Sequence, residues 1–95
     1  MDLTGNKVKD VSPLATCSAL EMLFLSKNQV ADLSPLGQCT GLTTLHLVKN
    51  KIKDISPLAS LDKLQGLMLG SNKIKDFSPL VSIYVNLLEK DFNLL

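Results

Sequence analysis

The sequence predicts an α/β solenoid. Short parallel strands form a concave face, short helical turns form the convex face, and a C-terminal helix serves as a lid. Three observations predict it. Nearly the same ten residues appear four times, as GNKVKDVSPL from Gly5, KNQVADLSPL from Lys27, KNKIKDISPL from Lys49 and SNKIKDFSPL from Ser71. The starts fall every 22 residues without slippage, and a strict period in that range is the signature of stacked repeats. Within each row the leucine spacing changes from strand-like to turn-like.

Aligned in rows of 22, the chain resolves into columns. Met1, Leu23, Leu45 and Leu67 form one, and Leu3, Leu25, Leu47 and Leu69 another. Leu20, Leu42 and Leu64 form a third, and Val8, Val30, Ile52 and Ile74 a fourth. Two more run Val11, Leu33, Ile55, Phe77 and Leu14, Leu36, Leu58, Leu80. A single row cannot bury its apolar side, whereas stacked rows turn each column into a continuous spine.

Each element follows from local chemistry. In LTTLHLVKN (42–50), Leu45 and Leu47 stand two apart and so share one face of a strand, leaving His46 on the other. Asn6, Asn28, Asn50 and Asn72 fall where the chain turns away from that strand. An amide column there can satisfy backbone groups that the turn leaves unpaired. Ser12, Ser34, Ser56 and Ser78, each followed by Pro, are expected to N-cap a short outer helical turn. Asp10, Asp32, Asp54 and Asp76 lie just upstream, where a carboxylate can hold loop N–H groups.

The pattern LxxLxLxxNxIxDxxPL, as it stands over residues 42–58, resembles the 22-residue leucine-rich repeats of internalins and of the leucine-rich regulatory subunit of protein phosphatase 1. The motif covers residues 1–80. The resemblance implies a leucine-rich-repeat solenoid that binds proteins with its concave strand face. Neither cadherin-type nor phosphatase binding carries over, because this sequence has no Trp and few rows.

The organisation expected is leucine-rich repeats over 1–78, a partial first row and then three full ones, and a degenerate final repeat or capping helix over 79–95. The chain opens inside a repeat, so its N-terminal end is expected to expose core. At the other end an unbroken period would put Asn86, Glu89 and Asp91 on leucine columns, where buried charge is prohibitive. Helical spacing of Val81, Val85, Leu88, Phe92 and Leu95 predicts instead one helix over 79–92 lying across the last row.

Side chains opposite the strand leucines form the exposed strand face, and six are candidates for binding a partner: Met22, Phe24, Thr44, His46, Val48 and Met68. Repeat architecture requires nothing apolar there, and adaptable Met with an aromatic anchor suits protein recognition. His46 is the only histidine, short of the three or four convergent ligands a metal needs and of the partners a general base needs. No catalytic, metal or cofactor residue is assigned. The function expected is a non-catalytic protein–protein interaction module of scaffold or regulatory type, with a structural, self-associating unit as the alternative.

All ten basic residues are Lys and the net charge is +1. Without Arg, the usual bidentate reader of bases and phosphates, a nucleic-acid partner is not expected. The lysines stack along the edge after the strands, where they can steer an acidic partner. No apolar run is long enough to span a bilayer, and no secretory leader pattern opens this segment. Cys17 and Cys39 share an apolar column with Leu61 and Ile83, which predicts free thiols and favours a cytoplasmic or nuclear setting over an extracellular one. Association of copies through the chain ends is a further expectation.

Overall fold

The computed structural model describes residues 1–93. Four short strands form one parallel sheet in chain order: β1 (Met22–Phe24), β2 (Thr44–His46), β3 (Gly66–Met68) and β4 (Glu89–Lys90). The register of the first three follows the 22-residue columns, with Leu23 beside Leu45 and Leu45 beside Leu67. Asp2 extends the ladder by one bridge to Phe24. Behind the sheet the spines close completely. Leu23, Leu25, Leu42, Leu45, Leu47, Ile52, Leu58, Leu61, Leu64 and Leu67 have no exposed surface. At the N-terminal end the equivalents Leu3, Val8, Leu14 and Leu20 are only partly buried, since nothing stacks on their far side.

The outer turns are 3₁₀ helices, Ser12–Leu14, Ser34–Gln38, Ser56–Ser60 and Ser78–Leu80, each with Pro in the first turn. Contrary to expectation, no serine side chain caps them. The acceptor is the aspartate two residues upstream. Asp10, Asp32, Asp54 and Asp76 each take the backbone N–H of the following serine at 2.9 Å through Oδ1. These bonds hold the four carboxyls below the ordinary aspartate range. The backbone N–H is the main cause at Asp10, Asp54 and Asp76, and the Ser34 hydroxyl at Asp32.

The asparagine column works as the sequence predicts. Asn28 Oδ1 accepts from the N–H groups of Asn6 (2.9 Å) and Val8 (2.8 Å), while its Nδ2 donates to the carbonyls of Leu3, Leu25 and Ser26. Asn50 accepts from Val30 N–H and donates to Leu25 and Leu47, and Asn72 repeats the arrangement one row on. Each of these three amides thereby ties two rows together, whereas among the described residues the Asn6 side chain bonds only Leu3 and Thr4 of its own row. The residue before each asparagine lies in the left-handed region: Gly5 at φ 74°, Lys27 and Lys49 at 60°, Ser71 at 57°. Only the first row uses the residue type for which that conformation is unstrained.

The last row departs from the helix expected over 79–92. There is one C-terminal helix, α1 (Val81–Tyr84), and it ends after a turn, whereupon the chain returns to the sheet as β4. Gly66 pairs with Glu89 and Leu67 with Lys90, an offset of 23 in place of 22. One inserted residue between Ile83 and Leu87 moves Leu87, Lys90 and Phe92 onto the columns of Leu64, Leu67 and Leu69. Ile83 and Leu87 are buried, whereas Val81, Val85 and Leu88, three of the expected helix face, are 61%, 83% and 82% exposed. Leu95 lies outside the described residues.

The reason is backbone hydrogen bonding. A helix across the last row would leave the open edge of β3 unpaired. Instead Leu88 and Glu89 N–H donate to Gln65 O, and the Asp91 carboxylate accepts from Leu69 N–H (2.7 Å) and Gly70 N–H (2.8 Å). Lys90 stands at a leucine position without burying its charge. Its Nζ reaches Leu87 O at 3.1 Å and lies 4.8 Å from the Tyr84 ring centroid.

Cys17 and Cys39 are free thiols. Cys39 is fully buried and its Sγ donates to Leu14 O at 3.1 Å. Burial, with Cys17 nearby, raises its pKa above the ordinary thiol value, so it stays a neutral core residue.

Candidate functional site

Strand alternation puts one leucine per strand inward and two residues outward. Met22 and Phe24 therefore flank buried Leu23 on β1, and Thr44 and His46 flank Leu45 on β2. On β3, Gly66 and Met68 flank Leu67. Register then aligns them across the sheet: Met22 beside Thr44 beside Gly66 beside Glu89, and Phe24 beside His46 beside Met68. Val48, two residues beyond His46, leaves the regular strand, and its N–H donates to Ser26 Oγ at 3.1 Å.

All six residues singled out from the sequence thus lie on one continuous face. Met22 is 49% exposed. Phe24, Thr44, His46, Val48 and Met68 are partly exposed. The Phe24 and His46 rings meet edge to face, 4.9 Å between centroids and 90° between planes, an arrangement that fixes both rings. At the start of the same column Asp2 accepts from the Thr4 hydroxyl (2.7 Å) and N–H (3.0 Å). These bonds, the hydroxyl first, lower its pKa.

Sequence columns alone missed two members of the face, Glu89 and Asp91. Glu89 Oε1 lies 3.3 Å from His46 Nε2, two strands away across β3. The path crosses Gly66, where an added Cβ would sit 3.5 Å from that same oxygen and 3.7 Å from Thr44 Cγ2. A single Cβ there makes only ordinary contact, whereas a longer side chain on β3 would fill the path by which Glu89 reaches β2. The signal was present as Leu87-x-x-Lys90-x-Phe92, the strand motif displaced by one residue and with Lys in its second apolar place.

Among the described residues no three His, Cys, Asp or Glu side chains converge as metal ligands would, and His46 with Glu89 is the one close imidazole–carboxylate contact. The face offers apolar contact area, one aromatic–imidazole pair and, at its two ends, the carboxylates of Asp2, Glu89 and Asp91. Surfaces of that kind recognise other macromolecules by shape and contact.

A parallel sheet built one strand per row, asparagine-tied turns and aspartate-held 3₁₀ helices together define a leucine-rich-repeat solenoid, and this chain has that fold. The family described as Leucine Rich repeats (2 copies) matches residues 40–82. Its rows resemble those of internalins. The crystal structure of internalin C2 from Listeria monocytogenes is 43% identical and superposes with a TM-score of 0.91 over 97% of this chain and 40% of that one. A second internalin of that organism, InlF, is 24% identical with a TM-score of 0.62, covering 92% of this chain and 39% of its own. It shares the fold. The chain spans about two fifths of the length of either structure. No curated protein matches. Among the described residues no helix is long and apolar enough to cross a membrane. The likeness to internalins gives no support to the cytoplasmic or nuclear setting expected from the cysteines.

Proposed function

We propose that the chain is a non-catalytic protein-interaction module of scaffold or regulatory type, and that a protein partner seats on the strand face around Phe24, His46 and Met68, with Met22, Thr44 and Val48 at its border. The observation that carries this reading is the placement of Phe24, Met22 and Met68 on the solvent side of strands whose core is already complete behind them. Folding gains little from those side chains, whereas a partner gains an aromatic anchor flanked by adaptable thioethers. With lysine as the only basic residue type, a protein fits this surface better than a nucleic acid does. The test is a Phe24→Ala/Met68→Ala variant in affinity capture from the source cells. Capture is lost while the far-UV CD melt stays cooperative; capture at wild-type level refutes the reading.

A second reading is a self-associating structural unit. It is favoured by exposed Val81, Val85 and Leu88. Light scattering over a concentration series separates the two, because a strict monomer removes the second. Residues 79–93 then act as a degenerate final repeat that closes the sheet.

A further inference from the structure

We propose that the edge following the strands is a second, separate binding surface, a cationic groove that holds an acidic, extended polypeptide segment. It lies beside the strand face and does not depend on that face being a site.

Charge is unevenly distributed over the chain. Eight of the ten lysines fall in the four loops 5–10, 27–32, 49–54 and 71–76, against four aspartates. The remainder carries two lysines and five carboxylates. All eight edge lysines are exposed, and among the described residues none pairs with a carboxylate. The aspartates between them are occupied through Oδ1 by serine N–H groups. Those bonds keep the four carboxylates ionised, and eight lysines against four aspartates leave the loops with a net charge of +4.

The lysines also have a shape. Two cavities of about 760 and 350 Å³ adjoin along rows two to four and share Lys53 and Lys73 in their walls. Lys51 completes the first and Lys75 the second, and each carries one aspartate, Asp54 or Asp76. Ala31 stands in the column of Lys9, Lys53 and Lys75 and lines the larger cavity, so the opening lies where that row has no long side chain. The groove runs across the rows, which stack about 4.8 Å apart.

Charge complementarity requires an anionic occupant. The two aspartates select among anions. A uniform polyanion meets their carboxylates as repulsion, whereas a polypeptide brings N–H donors that Oδ2 of Asp54 and Asp76 can accept. Neither Oδ2 makes a hydrogen bond among the described residues. Ammonium groups lack the fork geometry of guanidinium, so recognition is by charge density and is salt-sensitive.

The probe is a fluorescein-labelled decaglutamate, titrated by anisotropy with the full chain at about 10 mM salt, where the screening length is about 30 Å. Binding is expected to weaken steeply toward about 0.15 M salt. A Lys51→Gln/Lys53→Gln/Lys73→Gln/Lys75→Gln variant loses about tenfold in affinity. Lys63→Gln and Phe24→Ala/Met68→Ala bind as the wild type, which keeps this result separate from that of the strand face. Amide shifts in the wild type, recorded without any substitution, cluster at 50–54 and 72–76. An unchanged affinity in the fourfold variant, shifts confined to the strand residues, or tighter binding of a ten-nucleotide oligothymidylate than of decaglutamate would each overturn the proposal.

Discussion

Replacing Asn50 tests the central physical argument, that the rows are held in register by buried amides. Asn50 is 9% exposed. Its Oδ1 takes Val30 N–H at 3.0 Å, and its Nδ2 gives to Leu25 O and Leu47 O, both at 3.0 Å. Asn50→Ala orphans the Val30 N–H and removes one of the two amide bonds at each carbonyl, since Leu25 O keeps Asn28 Nδ2 and Leu47 O keeps Asn72 Nδ2. At about 1–3 kcal/mol for the unsatisfied donor and about 0.5–1.5 kcal/mol for each lost bond, with some relief from entering water, the loss is about 2–4 kcal/mol. A chain of this length has roughly 5–14 kcal/mol in all. For a urea slope of about 1–1.5 kcal/mol/M the midpoint falls by roughly 1–4 M. Asn6→Ala, whose amide bonds are exposed, costs under about 1 kcal/mol by the same reasoning.

Asn50→Asp sharpens the test. The acceptor toward Val30 survives, but an oxygen now faces the two carbonyls. The ionised form is disfavoured in the fold, so the introduced carboxyl has a folded pKa above its unfolded value of about 3.9. Protonation then favours the folded state, and the penalty shrinks as pH falls from 7 toward 4. Urea midpoints at several pH values measure it. An Asn50→Ala loss under about 1 kcal/mol, or an Asn50→Asp deficit that is flat with pH, refutes the reasoning.

Two other outcomes are expected. Asp91→Ala removes both carboxylate bonds to the β3 edge and destabilises by about 2–3 kcal/mol; Gly70→Ala, whose Cβ would lie 2.7 Å from Asp91 Oδ2, lowers the urea midpoint in the same direction, and a midpoint unmoved by either would exclude the capping role. The four loop aspartates have folded pKa values below their unfolded ones, so their contribution is present above about pH 4 and lost as pH falls through the folded values; a fourfold Asp→Asn variant should flatten the acid limb of the stability profile, and an unaltered limb contradicts it.

Most of the architecture was legible because repetition replaces inference. Leu25 and Leu47 had to share an environment once they shared a column, and the same logic placed Phe24, His46 and Met68 in line. Logic of that kind fails where the period slips. Glu89 and Asp91 were lost to a helix expected to run on to 92 because one extra residue before Leu87 disguised the fourth strand, and because Val81, Val85 and Leu88 fall at helical spacing by chance of composition. Serine capping was misjudged for a different reason. Asp and Ser are both strong acceptors two residues apart, and only geometry decides which carries the turn. The His46–Glu89 contact was out of reach, since it depends on a missing side chain at Gly66.

The grid of columns separates two vocabularies in one chain. Inward letters are nearly fixed by the spines, while outward letters at 22, 24, 44, 46 and 68 are under no such constraint, so the surface can be rewritten without touching the scaffold. A duplicate of residues 49–70 spliced after Gly70 would widen the displayed area by one strand spacing, about 4.8 Å, and would leave the closing carboxylate in its place at the far edge. Lengthening from the interior is therefore cheap for this molecule.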